Sequence, residues 1–465
     1  MSRPGLRWRL RRLRAAWDGM TPASDAQIKE VEENLRAAED ALLGAERRIT
    51  ALTTRIAALE ARLARVEADG EPSRAPLRLA YFSPLTPQAT GIAGYSEMLL
   101  PALARLAEVD VYVDGVTPTD PFVNRLPVFA TGEYAARRDA RAYHATIYHM
   151  GNYLGYHEAI YRTMRRFPGI VVLHDFLLHH FFAGMTVPGG PQGEYPWEVG
   201  YAEGTPGLEA ARAALRYGRQ LPLFDYPLVE RALDLSQGVI CHSEYVRRQI
   251  ATRRPDLPTA VVGLATTPSF RKPLAETDAD DGMRPLRVIT AGYMTPAKGL
   301  ETALEAFALF RQRHPDARYT LVGNVEPHFD LDALIRKSGA AGAVEVRGFA
   351  PTLAEFDTAI ADADVCLNLR YPTAGETSAS LLRVMAVGVP AIVTDVGWFS
   401  ELPDDTVIKV PAPPTAADVA RALEDLAVNP GRRLSMAAAA QGYVEAVHSP
   451  DASARGYVEF VQRFL

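Results

Sequence analysis

Three segments carry residue types suited to holding an anionic leaving group. In the first, Ala291-Gly292-Tyr293-Met294-Thr295-Pro296-Ala297-Lys298-Gly299 follows an apolar run and precedes a helical pattern beginning near Leu300. A lysine between a strand and a helix can reach a diphosphate in a cleft and offset its charge; a solvated surface lysine is the plainer alternative. In the second, Gly375-Glu376-Thr377-Ser378 forms a small polar loop between a run ending near Leu369 and an apolar helical stretch with Leu381, Leu382 and Met385. Free N–H groups at a helix start suit a diphosphate, and a carboxylate beside them suits sugar hydroxyls. The alternative is a Thr or Ser that only caps the helix, with an incidental Glu. In the third, Gly91 and Gly94 stand before a helix starting near Tyr95, where glycine lets backbone approach a ligand. A bland strand-to-helix turn explains that pattern equally well. Finally, His174-Asp175 ends an apolar run, where an imidazole can hydrogen-bond a sugar hydroxyl or a backbone carbonyl.

These residues need a framework that brings strand ends together. The runs at 77–83, 109–113, 145–150, 169–175 and 238–243 are apolar and β-rich, and helical stretches separate several of them. A second set occupies 286–293, 318–324, 344–349, 364–369 and 390–397. Short, nearly continuous apolar strands alternating with helices predict parallel sheets covered on both faces. The polar segment 271–285 reads as the linker between a first domain at 76–270 and a second at 286–465, whose last helix is expected to pack back on the first. Two such α/β domains bind ligands in the cleft outside their strand C-termini. Residues 186–232 interrupt the alternation, as an insertion that either shapes an acceptor site or is a plain surface elaboration.

The chain has 465 residues, a formal net charge of −6 and 23% charged residues. It is long enough for two cores, and its acidic balance argues against a general nucleic-acid binder. Cys241 and Cys366, the only two cysteines, lie inside apolar runs, which fits buried free thiols in a reducing compartment. No Cys/His group has metal-site spacing. The Asp pairs 278/280, 330/332 and 362/364 lie away from strand C-terminal ends, so no metal is expected. No apolar run is long enough to span a bilayer and the start lacks a signal-peptide core, so the expected location is the cytoplasm.

Two elements precede the body. Residues 1–22 form a basic leader in which Leu6, Leu10, Leu13 and Trp17 share a helical face among six arginines. It either lies peripherally on an anionic inner-membrane surface through residues 3–17 or is a solvated leader. Residues 25–69 carry heptads: Ile28, Leu35, Leu42, Ile49, Ile56 and Leu63 at a, and Val31, Ala38, Ala45, Leu52, Leu59 and Val66 at d. Glu32, Glu39, Glu46, Glu60 and Glu67 fall at e, and Arg48, Arg55 and Arg62 at g. The pattern predicts a coiled coil and a homo-oligomer through residues 28–66 with parallel strands; it does not fix their number, and a dimer is favoured over a trimer or tetramer. A single amphipathic helix packed on the body is the alternative.

The loop 91–96, the His174-Asp175 pair, the Gly292…Lys298-Gly299 turn and the GETS…LLRVMAVGVPAIVTDVG segment resemble the retaining GT-B transferases of glycosyltransferase family four. The resemblance covers residues 77–465. It implies two Rossmann-like domains facing across a cleft and transfer of a sugar from a nucleotide diphosphate sugar to a glycan, lipid-linked or protein hydroxyl. It implies no cofactor beyond that co-substrate. By resemblance, His174, Lys298 and Glu376 act catalytically, and Gly91, Gly94, Gly292, Gly375, Thr377 and Ser378 line the donor site. Arg347 and Phe349 border the nucleotide base. Arg383 stands where the family has a ribose-binding Glu, and Tyr95 and Asp175 lie on the acceptor side. Tyr293 replaces an arginine common in the family. Two other classes fit the same architecture: a nucleotide-sugar epimerase, and a non-catalytic scaffold that only binds sugar nucleotides.

Overall fold

The computed structural model describes residues 25–68, 76–187, 193–268, 270, 285–350 and 352–465. The basic leader and most of the linker lie outside these residues. The first sheet comprises β1 (Leu77–Phe82), β2 (Ala107–Val113), β3 (Val128–Ala130), β4 (Ala145–Met150), β5 (Gly169–Leu173), β6 (Ser236–Cys241) and β7 (Thr259–Val261). Its spatial order is β3-β2-β1-β4-β5-β6-β7. The second sheet comprises β8 (Arg287–Ala291), β9 (Arg318–Val322), β10 (Val344–Gly348), β11 (Val365–Asn368), β12 (Ala391–Thr394) and β13 (Val407–Val410), in the order β10-β9-β8-β11-β12-β13. All the ladder pairings are parallel. Helices cover both faces of each sheet, which is why the central strands are buried on both sides. The three strands that sequence patterning did not show, β3, β7 and β13, are edge strands of three or four residues, too short for a periodic signal.

The two domains are joined by more than the linker. The last helix, α9 (Pro450–Gln462), lies against α2 (Gly91–Leu103) of the first domain. There Tyr457 and Tyr95 share a hydroxyl–hydroxyl bond of 2.8 Å in the core. Ser453 Oγ donates to Gly263 O at 2.7 Å. The Glu401 carboxylate of the second domain accepts from Glu244 N and Tyr245 N at the start of α5 (Glu244–Arg253) of the first. A carboxylate at a helix N-terminus satisfies free N–H groups and the helix dipole together.

Helix α1 (Asp25–Ala68) has 44 residues and does not stand free. It lies along α3 (Tyr195–Arg216) and α4 (Glu230–Asp234). The interrupting segment is therefore the dock for α1, and nothing in its packing assigns it to an acceptor. The docked face is polar. Arg36 pairs with Glu209 at 2.9 Å, Glu39 with Arg212 at 3.0 Å, Glu46 with Arg231 at 3.1 Å and Arg47 with Asp234 at 3.5 Å. α3 is kinked at Gly204 (φ 71°), and Asp40 accepts from Thr205 N at 3.0 Å, capping the resumed helix from outside. Among the described residues of α1, Leu43 is the large apolar side chain buried in this contact, set against Gly200, where an added Cβ would come within 3.2 Å of it. Leu43→Ala is expected to lower stability by about 2–3 kcal/mol, the lower part of the range for buried leucines because the helix can settle inward. Thermal unfolding of the full chain checks this, and an unchanged Tm would mean α1 is not held there.

Candidate functional site

The strand C-termini of both sheets face the cleft, as open parallel sheets require. Gly292 follows β8 with φ +105°, and a Cβ there would sit 3.0 Å from Lys298 Nζ. Glycine thus supplies a backbone conformation other residues resist and the space for the lysine. Lys298 ends a short 3-10 turn (Pro296–Lys298) ahead of α6 (Leu300–Arg311). Its buried ammonium donates to Ala291 O at 2.8 Å and Ser380 Oγ at 3.4 Å. Burial first, and then the Arg370 guanidinium, push its pKa down to about 7, against the Cys366 thiol and Glu376.

Helix α8 (Ala379–Val387) points its N-terminus into the same region. Ser378 is its N-cap, buried and accepting from Leu381 N at 3.2 Å, which is the capping role weighed against a donor contact above. Glu376 is held by its own loop. Its carboxylate accepts from Ala374 N at 2.8 Å and Thr373 Oγ1 at 3.2 Å and pairs with Arg370 Nε at 2.8 Å. The loop meets the first domain. Gly375 has φ +78°, and a Cβ there would be 3.1 Å from Phe176 Cβ. The Thr377 hydroxyl donates to His242 O at 3.2 Å.

On the first-domain wall, His174 follows β5. Its Nε2 lies 2.9 Å from His149 Nδ1, and its ring is 4.9 Å from that of His242 and 5.0 Å from that of Tyr95. Burial, reinforced by the neighbouring imidazoles, holds His174 and His149 well below the ordinary histidine value. Both are neutral at pH 7, so His174 offers hydrogen bonding and no charge. Asp175 accepts from Asn152 N at 3.1 Å. Burial raises its pKa to about 6, Glu376 adds to the rise and Arg370 opposes it, so the charged groups of the two walls sense each other here. Helix α2 begins at Gly91, a turn earlier than the sequence suggested, and Thr90 caps it. A Cβ at Gly91 or Gly94 would meet nothing within 4 Å, so both border open space.

Four other expected site residues have these surroundings. Tyr95 is 3% exposed, its hydroxyl is engaged by Tyr457, and its ring packs against His174 from within the core. Arg383 is also buried. Its Nε and Nη2 bond the two oxygens of Asp357 at 2.6 and 2.9 Å, tying α8 to α7 (Leu353–Ala361), and this fork occupies one edge of the guanidinium. Arg347 pairs with Glu345 and Asp362 on the surface of β10, and Phe349, just beyond, is 66% exposed. In the converse direction, sequence reading passed over Arg370, His149 and His242. Arg370 was legible in one respect, as the first charged residue after the strand ending at Leu369, but its pairing with Glu376 across the loop is a tertiary fact. Among the described residues no group of three His, Cys, Asp or Glu side chains is placed to hold a metal ion, and no helix is long and apolar enough to cross a membrane.

The arrangement of two parallel sheets facing across a cleft is similar to that of solved structures, and part of the chain matches a known family. Residues 285–429 match the family model described as glycosyl transferases group 1. The amylovoran biosynthesis glycosyltransferase AmsK of Erwinia amylovora is 28% identical over 129 residues, a stretch covering 27% of this chain and 31% of that relative. Sucrose-phosphate synthase from Thermosynechococcus elongatus superposes with a TM-score of 0.59 at 16% identity, over 83% of this chain and 98% of that one. HepE of Anabaena in complex with UDP superposes with a TM-score of 0.55 at 14% identity, over 83% and 100%. A glycosyltransferase from Rickettsia africae gives 0.56 at 12% identity, over 84% and 98%. The fold is GT-B. The matched family stretch runs from the approach to β8 through β13 and the following helix, so it contains Lys298, Arg370 and Glu376.

Proposed function

We propose that this protein transfers a glycosyl group from a nucleotide diphosphate sugar to an acceptor hydroxyl, with retention of anomeric configuration and without a metal ion. The observation that carries the reading is the meeting of Lys298, Arg370 and Glu376 at the start of α8, opposite Asp175 and His174. In this reading the diphosphate lies against Lys298, Arg370 and the first N–H groups of α8. These preorganised positive groups stabilise the negative charge that develops as the glycosidic C–O bond breaks. Glu376 exchanges its Arg370 contact for hydroxyls of the donor sugar. Asp175 and neutral His174 orient the acceptor hydroxyl, which attacks on the face the diphosphate leaves and passes its proton to a leaving phosphate oxygen. The family match in the second domain, the AmsK relative and the UDP bound by HepE support a nucleotide-sugar donor and an acceptor in glycan synthesis. Contact of residues 3–17 with an anionic membrane surface belongs to the same reading, since it would bring the cleft to a lipid-linked acceptor. The test is product formation from a panel of nucleotide sugars and glycan acceptors in excess EDTA, with the anomeric product read by NMR. An inverted product, or activity that returns only with magnesium or manganese, refutes the corresponding part. Isomerised sugar from donor alone would replace transfer with epimerisation.

The lysine gives a pH dependence with a definite sign. Binding a diphosphate needs the ammonium, and in the free protein that proton is lost as pH rises through about 7. Arg370, Glu376 and the Cys366 thiol are the charged or titratable groups acting on it. A bound dianion restores the proton, so the dissociation constant for UDP is expected to rise about fivefold from pH 7 to 8, with proton uptake on binding. Calorimetric titration in buffers of different ionisation enthalpy measures both. A flat affinity with no proton exchange would remove the lysine from the diphosphate.

A further inference from the structure

Helix α1 has two faces with different fates. The face carrying Arg36, Glu39, Asp40, Leu43, Glu46, Arg47 and Thr54, heptad positions e, b and f, is laid on the first domain. The a and d positions point away from it. Ile49, Leu52, Ile56, Leu59 and Leu63 are 54–63% exposed, and Val31, Leu35 and Leu42 are 37–45% exposed. A continuous apolar stripe of this length in water is unfavourable unless covered. The protomer does not cover it, because its own contact uses the polar side of the same helix.

We propose that this seam closes on the same seam of a second copy of the chain, as a parallel two-stranded coiled coil. The occupant follows from self-complementarity. A heptad stripe of Ile, Leu and Val is matched in period and shape by another copy of itself. Charge fixes the direction. In a parallel pair position g faces e of the partner one heptad on, so Arg55 meets Glu60 of the second copy. An antiparallel pair would set g against g and e against e, bringing arginines together and glutamates together. The docked face fixes the strand number. Trimers and tetramers bury e and g as well as a and d. Here Glu39 and Glu46 at e, with the b and f positions beside them, are already against Arg212, Arg231 and α3. That flank has no room for a third helix, so the heptads close as a dimer. Because each α1 is tied to its own body by ion pairs, the dimer holds two clefts in a fixed relation about an axis along the helices. The proposal is independent of the transfer chemistry.

The test is sedimentation equilibrium or light scattering on the full chain at micromolar concentration. The expected mass is that of two chains. Ile49→Glu with Ile56→Glu, both on the exposed side, is expected to give a monomer with an unchanged unfolding temperature for the body and unchanged donor binding. Arg55→Glu is expected to weaken the dimer roughly fivefold by turning two attractive pairs repulsive, and adding Glu60→Arg to restore it. A monomeric native chain, or a dimer that survives the double glutamate variant, overturns the proposal. A trimer or tetramer overturns the strand number, and failure of the charge swap to restore association overturns the parallel direction.

Discussion

With the proposed transfer as the assay, Lys298→Ala is expected to lower kcat/KM by about 100-fold or more, and Arg370→Ala to have an effect of the same order. In the proposed mechanism each removes one charge-assisted contact to a leaving group whose charge grows in the transition state. The reasons for expecting both are geometric. Lys298 is buried at the end of β8 with its ammonium pointed along the start of α8, and Arg370 is set against Glu376 in the adjoining loop. Arg370→Lys recovers part of the rate, because it returns a charge without the planar fork that engages two phosphate oxygens. Glu376→Ala is also expected to lower the rate, through loss of the proposed sugar contact. Steady-state kinetics with circular dichroism as the control for folding checks the set. Near-normal rates in Lys298→Ala and Arg370→Ala would place the diphosphate elsewhere.

Arg383→Ala is the largest expected loss of stability, about 3–5 kcal/mol, because it takes one partner from a fully buried ion pair. For a domain of this size that is a fall in Tm on the order of 10 °C. The fork joins Arg383 to Asp357 of α7 and not to Lys298 or Glu376, so the fraction that remains folded is expected to keep its donor affinity. Differential scanning calorimetry and donor titration below the transition separate the outcomes. A variant of normal stability that has lost donor affinity would put Arg383 back at the ribose.

Much of the site was legible because it sits where parallel sheets must place it. Gly292, Lys298, Gly375 and Glu376 follow strand ends in a chain whose strands alternate with helices, and any such chain turns those ends toward one cleft. Side-chain direction within a helix or a loop was not legible. Position 383 matches a ligand-binding slot in spacing, yet a buried Asp357 on the next helix claims its guanidinium. Tyr95 lies in the second turn of α2, but the hydroxyl of Tyr457, from 362 residues further along the chain, holds it inside. His149, His242 and Arg370 carry no distinguishing spacing, because their relation to His174 and Glu376 exists only once β4, β5, β6 and the loop after β11 lie side by side.

The sequence by itself determined two parallel α/β sheets, a cleft between them, a lysine and a glutamate beside helix starts, and a heptad stripe, since periodicity and punctuation at Gly, Pro and capping residues are local properties. Tertiary structure decided which of those groups are free to act. It withdrew Arg383 and Tyr95 into buried pairs and supplied Arg370. It also laid α1 down on its charged side with the apolar seam outward. These outcomes depend on partners tens to hundreds of residues away, and only the competition among buried side chains for charge and hydrogen-bond partners resolves them.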